Sequence, residues 1–425
     1  MKFLLSSPAY NQDIQHKALA LYEADALGMY YSNGVDHYQT WLAKKFRTSI
    51  RYLSPSFDHQ LQRRHIDLIP DDCIHSDWTW EALRTLAFRL KMSPSVADWF
   101  WEKSEHRLDS KSAKLMLQSD FGAFIGSEHS CLETVKQCAK LGKPSIVIFL
   151  SPHHSAKKQW VDPEYEAFPE LLLPSTKRLL ALAVSRDNRR DEEAYLADVI
   201  VTNSNFTTQS LVKAGVSPYK IITIPHGSPP VREDTQVSNF STSLKFMYAG
   251  PVSVRKGAYY LLKAWKLAQG QLRHAELHFF GSVQLPIGLL PSTPDIFFHG
   301  SVAQTQLFEA YHNSSALIFP TLLDGFGLVV TEALAQGLPV ITTPNAGAAD
   351  LIEPGKNGFL VPPRDVEALA ERLVWCVEHP EELYNMRHAA LATAKKQTWA
   401  KVREDFRQKL GEKLGISLSI NHLDN

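Results

Sequence analysis

Several features that mark other classes of protein are scarce in this chain of 425 residues. Neither charge is in excess, because 45 basic side chains face 45 acidic ones. A protein that coats nucleic acid would need a strong basic surplus, and an acidic disordered chain would need the opposite. The composition excludes both classes, so we expect no nucleic-acid partner.

Cysteine and long apolar runs are scarce as well. The four cysteines are Cys73, Cys131, Cys138 and Cys376. Their spacing matches no metal site, and without a disulfide framework the chain favours a reducing compartment. The longest apolar runs, 146–150 and 179–184, are far shorter than the ~18–20 residues of a membrane span. We interpret residues 1–10 as a strand and not a secretory signal. The sequence thus predicts a cytoplasmic protein, with contact at the inner face of the membrane left open.

Short apolar runs alternate with helical patterns through the second half of the chain. Predicted strands are 244–249, 277–280, 296–298, 316–319, 340–342 and 359–361. Predicted helices are 256–268, 304–312, 328–336 and 366–379. These strands are apolar throughout, as expected of a parallel sheet that helices cover on both faces. The pattern predicts an α/β fold with a doubly wound sheet.

The first half shows the same alternation more weakly. Strand candidates are 2–5, 122–125, 145–150, 199–202 and 221–224, and the stretch 18–107 is expected to be mostly helical. The chain is longer than a single core usually serves, so two domains are expected. A polar, proline-containing segment separates them. The predicted division is a domain at 1–228, a linker at 229–243, a domain at 244–394 and a C-terminal helix at 395–425 that packs back on the first domain.

The densest motif is the segment 319–341, FPTLLDGFGLVVTEALAQGLPVI. A strand is followed by the glycine-containing loop 324–327, and a helix then begins. Glycines let a ligand approach the backbone, and helix-terminal amides bind anions, so the motif suits a diphosphate. Asp324 and Glu332, eight positions apart, would accept hydrogen bonds from sugar hydroxyls. The alternative is a bare strand–helix connection with packing glycines.

A second motif is the segment 248–265, YAGPVSVRKGAYYLLKAW. Its strand ends at Gly250, and Arg255 and Lys256 stand at the start of the next helix. Two cations beside helix-terminal amides suit a diphosphate leaving group. The alternative is a pair of solvated side chains on the first turn of the helix.

Taken in order, these and other segments resemble the group 1 family of retaining, nucleotide-sugar-dependent glycosyltransferases with GT-B architecture. The segments are 197–228, 247–265, 277–282, 298–363 and the late Trp399. The resemblance implies two Rossmann-like, doubly wound domains facing a cleft. It implies a nucleoside-diphosphate sugar as donor, such as a UDP- or GDP-sugar, and no cofactor. No Asp-x-Asp follows a strand to hold a metal–diphosphate, so no metal is expected either.

The resemblance also implies roles for the matching residues. Lys256, with Arg255, would neutralise the donor diphosphate; Glu332 would hold the ribose hydroxyls; Asp324 would contact the transferred sugar. The family has Glu at the position of Asp324, and many relatives have Arg at the position of Pro251. Arg255 is the candidate to compensate for the second departure. Further donor-binding residues would be Gly250, Gly325, Phe326, Gly327, Leu328 and Val329, with Gly300–Val302 framing the nucleobase.

The first domain is expected to bind the acceptor. The family's glycine-rich loop after the first strand is absent, so Asn11 and Gln15 are the candidates there. His154 is the catalytic candidate at the cleft, and a turn histidine is the alternative. Other candidates to line the cleft are His153, Gly126 and Ser127.

A basic and aromatic stretch, 41–64, has three open interpretations: contact with an anionic membrane that carries a lipid-linked acceptor, contact with an acidic glycan, or a solvated helix face. The expected activity is retaining, metal-independent transfer of a sugar to a glycan, lipid-linked or other hydroxyl acceptor in polysaccharide or glycoconjugate biosynthesis. The alternatives are a sugar-nucleotide-binding protein and an epimerase or hydrolase on the same fold. The sequence argues against a dehydrogenase, because no Gly-x-Gly-x-x-Gly follows the first strand of either half.

Overall fold

The computed structural model describes residues 1–8, 11–36, 45, 48, 64–90, 92–232 and 243–420, and it folds them around two parallel β-sheets. One sheet comes from each half of the chain. The prediction of an α/β fold with two doubly wound domains is therefore confirmed. Most of the predicted linker and of the basic stretch 41–64 lies outside the described residues.

Among the described residues, the N-terminal sheet has seven parallel strands in the order β3-β2-β1-β4-β5-β6-β7. The strands are β1 (Phe3–Ser7), β2 (Leu27–Asn33), β3 (Ile74–Asp77), β4 (Ala123–Ser127), β5 (Ser145–Phe149), β6 (Val199–Thr202) and β7 (Ile221–Thr223). The helices are α1 (Gln12–Glu23), α2 (Thr79–Arg89), α3 (Pro94–Gln118), α4 (Leu132–Leu141), α5 (His154–Trp160), α6 (Asp162–Ala167), α7 (Pro174–Leu196) and α8 (Asn205–Lys213).

The C-terminal sheet, counted over the same part of the chain, has six parallel strands in the order β10-β9-β8-β11-β12-β13. The strands are β8 (Lys245–Ala249), β9 (Glu276–Phe280), β10 (Ile296–Phe298), β11 (Ala316–Phe319), β12 (Val340–Thr342) and β13 (Gly358–Leu360). The helices are α9 (Ala258–Ala268), α10 (Gln304–Asn313), α11 (Leu328–Ala335), α12 (Val366–Glu378), α13 (Pro380–Lys396) and α14 (Trp399–Leu414).

Alternate side chains of the central strands pack on opposite faces of each sheet. In β1, Leu5 belongs to the core on one face, and Leu4 belongs to the core on the other. Ile125 and Phe124 of β4 divide in the same way. Because helices cover both faces, both sets are buried, which explains why these strands are apolar throughout.

The expectation that 18–107 is mostly helical is wrong in two places. It contains β2 (LGMYYSN) and β3 (IHSD), which form one edge of the sheet. β2 includes a glycine and two polar residues, and β3 is short and mostly polar. Neither segment therefore has the continuous apolar run that predicted the other strands.

Each sheet has one switch point, where the strand order reverses direction. In the N-terminal sheet the point lies between β1 and β4, and in the C-terminal sheet it lies between β8 and β11. The loops that leave two adjacent strands at a switch point run to opposite faces and open a crevice at the carboxyl edge of the sheet. These edges are where ligand-binding residues are expected.

The last helix returns to the N-terminal domain and packs on α1. The Trp399 ring stacks on His16 with centroids 4.3 Å apart, and Phe406 is fully buried in the N-terminal core. Arg403 and Arg407 both pair with Glu23 of α1. The chain thus crosses between the domains twice, near Ser228 and again before Trp399.

Buried charged groups hold α3, α4 and α7 together on the outside of the N-terminal sheet. Glu105 of α3 bonds the His129 ring, and Glu193 of α7 accepts hydrogen bonds from the backbone N–H groups of His129 and Cys131. Burial raises the pKa of Glu105 to about 8, and burial with nearby arginines lowers the pKa of His129 to about 4. Burial thus favours the neutral form of both side chains. No helix in the described ranges is both long and apolar enough to cross a membrane.

Candidate functional site

The predicted donor residues follow β8 and β11, the two strands that meet at the C-terminal switch point. Arg255 and Lys256 lie between β8 and α9, and Asp324 lies between β11 and α11. Strands that run in parallel deliver these loops to the same edge of the sheet. The structure therefore brings together residues that the sequence separates by 68 positions.

A close approach between two backbones places Lys256 beside the loop after β11. A Cβ on Gly257 would lie 1.8 Å from the carbonyl oxygen of Pro320, and Gly257 has a φ of +76°, so only glycine fits. Lys256 then pairs through Nζ with the Asp324 carboxylate, and both side chains are less than a fifth exposed. Burial lowers the pKa of Lys256, whereas the Asp324 charge opposes that shift. A second anion that binds Nζ would therefore displace little water and would find the ammonium group already held in position.

Arg255 lies beside the same loop but is exposed. Its Nη1 donates a hydrogen bond of 3.2 Å to the carbonyl oxygen of Leu323, and its own carbonyl oxygen accepts one of 2.9 Å from the N–H of Leu322. Its charge also reaches Tyr165 of the N-terminal domain, where it opposes the rise in pKa that burial causes. Arg255 is thus a second cation, close to both domains.

The loop that carries Asp324 is held by the segment after β12. The Asp324 N–H donates to the carbonyl oxygen of Asn345 at 3.0 Å, and the Asn345 side chain donates to the carbonyl oxygen of Leu322 at 2.9 Å. Thr343 donates to the carbonyl oxygen of Thr321 at 2.6 Å. These bonds fix the loop before any ligand arrives, which lowers the entropy cost of binding.

The N-terminus of α11 opens at the end of this loop. Gly327 caps the helix with a φ of +89°, a conformation that favours glycine. Leu328 is exposed and Val329 is half-buried, so the first turn is accessible. The first amides of a helix have no partners within it and carry a partial positive charge. Together with Lys256, this helix end could hold an anion.

Glu332, one turn into α11, is held by a residue that the sequence did not single out. The Tyr311 hydroxyl donates a hydrogen bond of 2.9 Å to Oε2 of Glu332, and Tyr311 is fully buried. Burial raises the pKa of Glu332, and the bond from Tyr311 opposes this rise. With Oε2 engaged, Oε1 remains as an acceptor for ligand hydroxyls.

Three glycines line the carboxyl ends of β8, β9 and β10. The Gly250 N–H donates to the carbonyl oxygen of Phe280, and the Gly281 N–H donates to that of Gly300, both at 2.8 Å. A Cβ on Gly281 would lie 2.0 Å from the carbonyl oxygen of Gly250. These three glycines leave the backbone at this edge uncovered by side chains, and Val302 is half-buried beyond Gly300. A flat ring could approach such a backbone closely.

The donor-side loop contacts the N-terminal domain through Gly325. A Cβ on Gly325 would lie 2.0 Å from the carbonyl oxygen of Leu150, the residue directly after β5. The Gly325 carbonyl oxygen accepts hydrogen bonds from Ser204 at 2.7 Å and from Thr207 at 3.3 Å, both at the start of α8. The neighbouring Phe326 ring packs edge-on against His226, with centroids 4.6 Å apart. The two domains are therefore closed on each other at this loop.

The N-terminal candidates are spread over several environments. Asn11 is exposed and caps α1, accepting a hydrogen bond of 3.0 Å from the Ile14 N–H, and Gln15 is half-buried on the same helix. Ser127 is buried and donates to Ser7 at 2.7 Å. Gly126 is buried inside β4, where a Cβ would meet Cys131 and Phe124 within 2.8 Å. Gly126 therefore packs the interior and leaves no open surface for an acceptor.

His153 and His154 face α7, and both are bonded to one carboxylate. Nε2 of His153 lies 2.8 Å from Oδ1 of Asp191, and Nε2 of His154 lies 3.0 Å from Oδ2 of Asp191. Nδ1 of His154 lies 3.7 Å from Asp187. The prediction that His154 acts at the cleft thus meets a different arrangement, because both of its ring nitrogens point at acids of the same domain.

Three residues that hold other parts of the site in place were not identified from the sequence: Tyr311, Asn345 and Ser204. Tyr311 belongs to an apolar helix stripe and is typical of a core side chain. Asn345 follows β12 as a polar residue after a strand, which is a signal that could have been used. Ser204 also carried a signal, because a serine just before a helix is a common N-terminal cap. Its hydroxyl oxygen accepts a hydrogen bond of 3.0 Å from the Thr207 N–H.

Part of the chain matches a known protein family. Residues 243–379 match the model of the family described as glycosyl transferases group 1. A curated relative is the capsular polysaccharide biosynthesis glycosyltransferase CapM of Staphylococcus aureus, 31% identical over 133 residues. This match covers 30% of the chain and 34% of CapM, so the chain aligns with only about a third of that relative's length.

Solved structures resemble the chain over nearly its whole length. HepE of Anabaena, solved with UDP, has a TM-score of 0.59 at 17% identity and covers 97% of this chain and 100% of its own. Sucrose-phosphate synthase of Thermosynechococcus elongatus has a TM-score of 0.59 at 15% identity, covering 98% and 100%. These likenesses show the fold. With the family match, they confirm the resemblance to the group 1 glycosyltransferases of GT-B architecture.

Proposed function

We propose that this chain transfers a glycosyl group from a nucleoside-diphosphate sugar to a hydroxyl acceptor in polysaccharide or glycoconjugate biosynthesis. One observation carries the proposal: Lys256 and the N-terminus of α11 form an anion site beside two carboxylates, Asp324 and Glu332, at the C-terminal switch point. In a nucleoside-diphosphate sugar, the diphosphate lies between the ribose and the transferred sugar. Cationic groups would bind the diphosphate, and a carboxylate on each side would accept hydrogen bonds from the sugar hydroxyls. The match of residues 243–379 to the group 1 model supports the same activity.

The donor would lie along the carboxyl edge of the C-terminal sheet. Arg255, Lys256 and the amides of Gly327–Val329 would bind the diphosphate. Glu332, oriented by Tyr311, would accept hydrogen bonds from the ribose. The glycine row ending at Gly300–Val302 would frame the base. We favour uracil, because structures of the similar HepE were solved with UDP and with UDP-glucose.

Donor binding would exchange the partners of Lys256. In the structure, Nζ is paired with Asp324. A diphosphate brings more negative charge than one carboxylate, so Lys256 would move to the phosphate oxygens. Asp324 would then be free to accept hydrogen bonds from the hydroxyls of the transferred sugar. Asp324 is one methylene shorter than the family's Glu, and its pairing with Lys256 supports a position close to the proposed diphosphate site.

The proposed reaction retains the anomeric configuration and uses no metal on the diphosphate. The acceptor oxygen attacks the anomeric carbon from the side of the leaving group, and the bond from that carbon to the phosphate oxygen breaks. The leaving phosphate oxygen takes the proton of the acceptor hydroxyl. Lys256, Arg255 and the start of α11 stabilise the charge that grows on the diphosphate. No proton transfer is assigned to His154, because its ring nitrogens face Asp187 and Asp191.

The acceptor would enter from the N-terminal domain. A lipid-linked acceptor would require this domain to contact a membrane. Four large apolar side chains at the α2–α3 turn are about half exposed or more, namely Leu86, Leu90, Met92 and Trp99. Such a surface suits peripheral contact with the inner face of the membrane. Sedimentation with anionic vesicles should carry down the wild type and less of Leu90→Ser. Equal sedimentation of the two would refute this contact.

Calorimetry with UDP, GDP and UDP-glucose tests the donor site. Lys256→Ala and Glu332→Gln should each weaken nucleotide binding about 10- to 100-fold, since each removes a charged hydrogen-bond partner. Lys266→Ala is the matched control, because Lys266 is exposed on the far turn of α9. Binding that survives both donor-site changes would refute the site, and a wild type that binds no nucleotide would refute the function.

Product analysis then separates the transferase from its alternatives. A transferase consumes UDP-glucose only when an acceptor hydroxyl from a panel of glycans and lipid-linked sugars is present. A hydrolase or epimerase consumes the donor alone. A binding protein binds it and consumes none under either condition. The last two outcomes would contradict the proposal.

A further inference from the structure

We propose that His153, His154 and Asp191 form a binding site for a divalent transition-metal ion of the zinc class. Within the part of the chain that the structure describes, this is the one group of three metal-ligating side chains whose ligand atoms all lie within 4.8 Å of one another. The site belongs entirely to the N-terminal domain. It is separate from the donor diphosphate, for which the proposed function uses no metal.

The distances fit a common ion. Zinc binds imidazole nitrogen and carboxylate oxygen at about 2.0–2.2 Å, so two ligand atoms at a tetrahedral angle lie about 3.3 Å apart. Nε2 of His153 lies 2.8 Å from Oδ1 of Asp191, and Nε2 of His154 lies 3.2 Å from the same oxygen. All three ligand atoms lie within 4.8 Å of one another, so an ion could enter after side-chain shifts of up to about 1.5 Å. Two imidazoles and one carboxylate suit zinc, cobalt and nickel, and they leave one position open.

The far ring nitrogens lie near acceptors that a metal site requires. A histidine that binds metal through Nε2 carries its proton on Nδ1 and donates it to a neighbouring acceptor. Nδ1 of His153 accepts a hydrogen bond of 3.2 Å from the Ser155 N–H and lies 2.8 Å from the Ser155 hydroxyl oxygen. Binding of an ion at Nε2 would replace the first contact by donation from Nδ1 to that hydroxyl. Nδ1 of His154 is buried without a hydrogen-bond partner, and the closest acid is Asp187 at 3.7 Å. Moving the proton of His154 from Nε2 to Nδ1 would give this orphaned nitrogen an acceptor.

Nearby positive charge is already balanced. Arg190 of α7 pairs with Glu128 at 2.5 Å and lies 3.9 Å from Asp187. Its guanidinium also donates to the carbonyl oxygen of Pro152, directly before the two histidines. An arginine that is engaged in this way holds the loop against α7 and does not take the place of a cation between the rings.

The ion would fasten the loop between β5 and α5 to helix α7. That loop begins at Leu150, whose carbonyl oxygen lies against Gly325 of the other domain. A fastened loop would keep this surface in position for domain closure. Binding of the ion should therefore raise the thermal stability of the chain, independently of any donor.

Titration of the metal-free full chain with Co²⁺ tests the site, read from the visible absorption of bound cobalt and from competition by Zn²⁺. The wild type should bind one equivalent and gain thermal stability with Zn²⁺. Asp191→Asn should weaken binding by at least about 100-fold, and Asp187→Asn, which removes only the partner of Nδ1, by about 10- to 100-fold. His154→Gln is the second ligand variant, should Asp191→Asn not fold.

The chain offers a matched control with the same residue types. His278 lies 2.9 Å from His299 through Nδ1 and 3.1 Å from Glu276 through Nε2. Since its two contacts use opposite ring nitrogens, these three side chains do not converge on one ion. His278→Gln should change Co²⁺ affinity by less than about threefold. An equal loss in His278→Gln and Asp191→Asn, or no specific equivalent in the wild type, would overturn the proposal.

Discussion

Gly325 offers a direct test of how the two domains meet. Substitution by alanine would place a Cβ 2.0 Å from the carbonyl oxygen of Leu150, whereas ordinary contacts begin at 3.4 Å. The loop and the end of β5 must therefore separate by about 1.4 Å, the difference between these distances. The hydrogen bond of 2.7 Å from Ser204 to the Gly325 carbonyl would be stretched beyond hydrogen-bonding range, and the weaker bond from Thr207 would be lost with it.

The cost of this separation follows from the two lost hydrogen bonds. Each contributes about 0.5–1.5 kcal/mol, so the closed arrangement should lose about 1–3 kcal/mol relative to an open one. The ratio of closed to open molecules would fall about 5- to 150-fold. Small-angle scattering should report a larger radius of gyration for Gly325→Ala, and turnover of the donor should fall because closure completes the site.

Two further variants make this measurement decisive. Gly347→Ala should have the same effect, since its Cβ would lie 2.1 Å from the Gly325 carbonyl oxygen and 2.6 Å from Cβ of Ser204. Gly270→Ala is the control, because a Cβ there meets nothing within 4 Å. A Gly325→Ala protein with the scattering curve and turnover of the control would refute the argument from backbone contact.

Three other changes have expected outcomes. Tyr311→Phe should weaken UDP binding about tenfold while the fold is kept, because Glu332 loses the bond that orients it; unchanged affinity by calorimetry would remove Tyr311 from the site. Glu105, with its pKa raised to about 8, keeps a proton that it would lose on unfolding, so between pH 6.5 and 8 the wild type should lose stability as pH rises. Glu105→Gln should lower that slope by up to about 1.4 kcal/mol per pH unit in denaturant titrations, and an unchanged slope would contradict the raised pKa. Trp399→Ala should cost about 2–3 kcal/mol of unfolding free energy, since its partly buried ring lies against His16 and Gly227, and a loss below 1 kcal/mol would contradict this packing.

The central strands were predictable because burial on both faces leaves a visible mark. A strand such as β5, SIVIF, is covered by helices on two sides and must be apolar at successive positions. The edge strands β2 and β3 carry no such mark. Their place in the sheet depends on the pairing of β2 with β1 and of β3 with β2, long-range contacts that local pattern does not encode.

The donor side was predictable for a related reason. Its residues directly follow strands, so that their position in the chain fixes their position at the carboxyl edge. The contacts of His154 and Glu332 have no such origin. His154 meets Asp191 across 37 positions and Glu332 meets Tyr311 across 21, and each contact depends on how two helices pack. Packing of this kind is decided by the whole fold.

The return of α14 to the N-terminal domain has a consequence for the order in which the protein is made. Domains generally fold as units while the ribosome is still adding residues. Here the N-terminal core includes Phe406 and Leu410, which are translated after the whole C-terminal domain. That core stays incomplete throughout synthesis of the C-terminal domain, which is contiguous and can finish first. Translation of α14, and not the completion of residue 228, is the event that completes the first core.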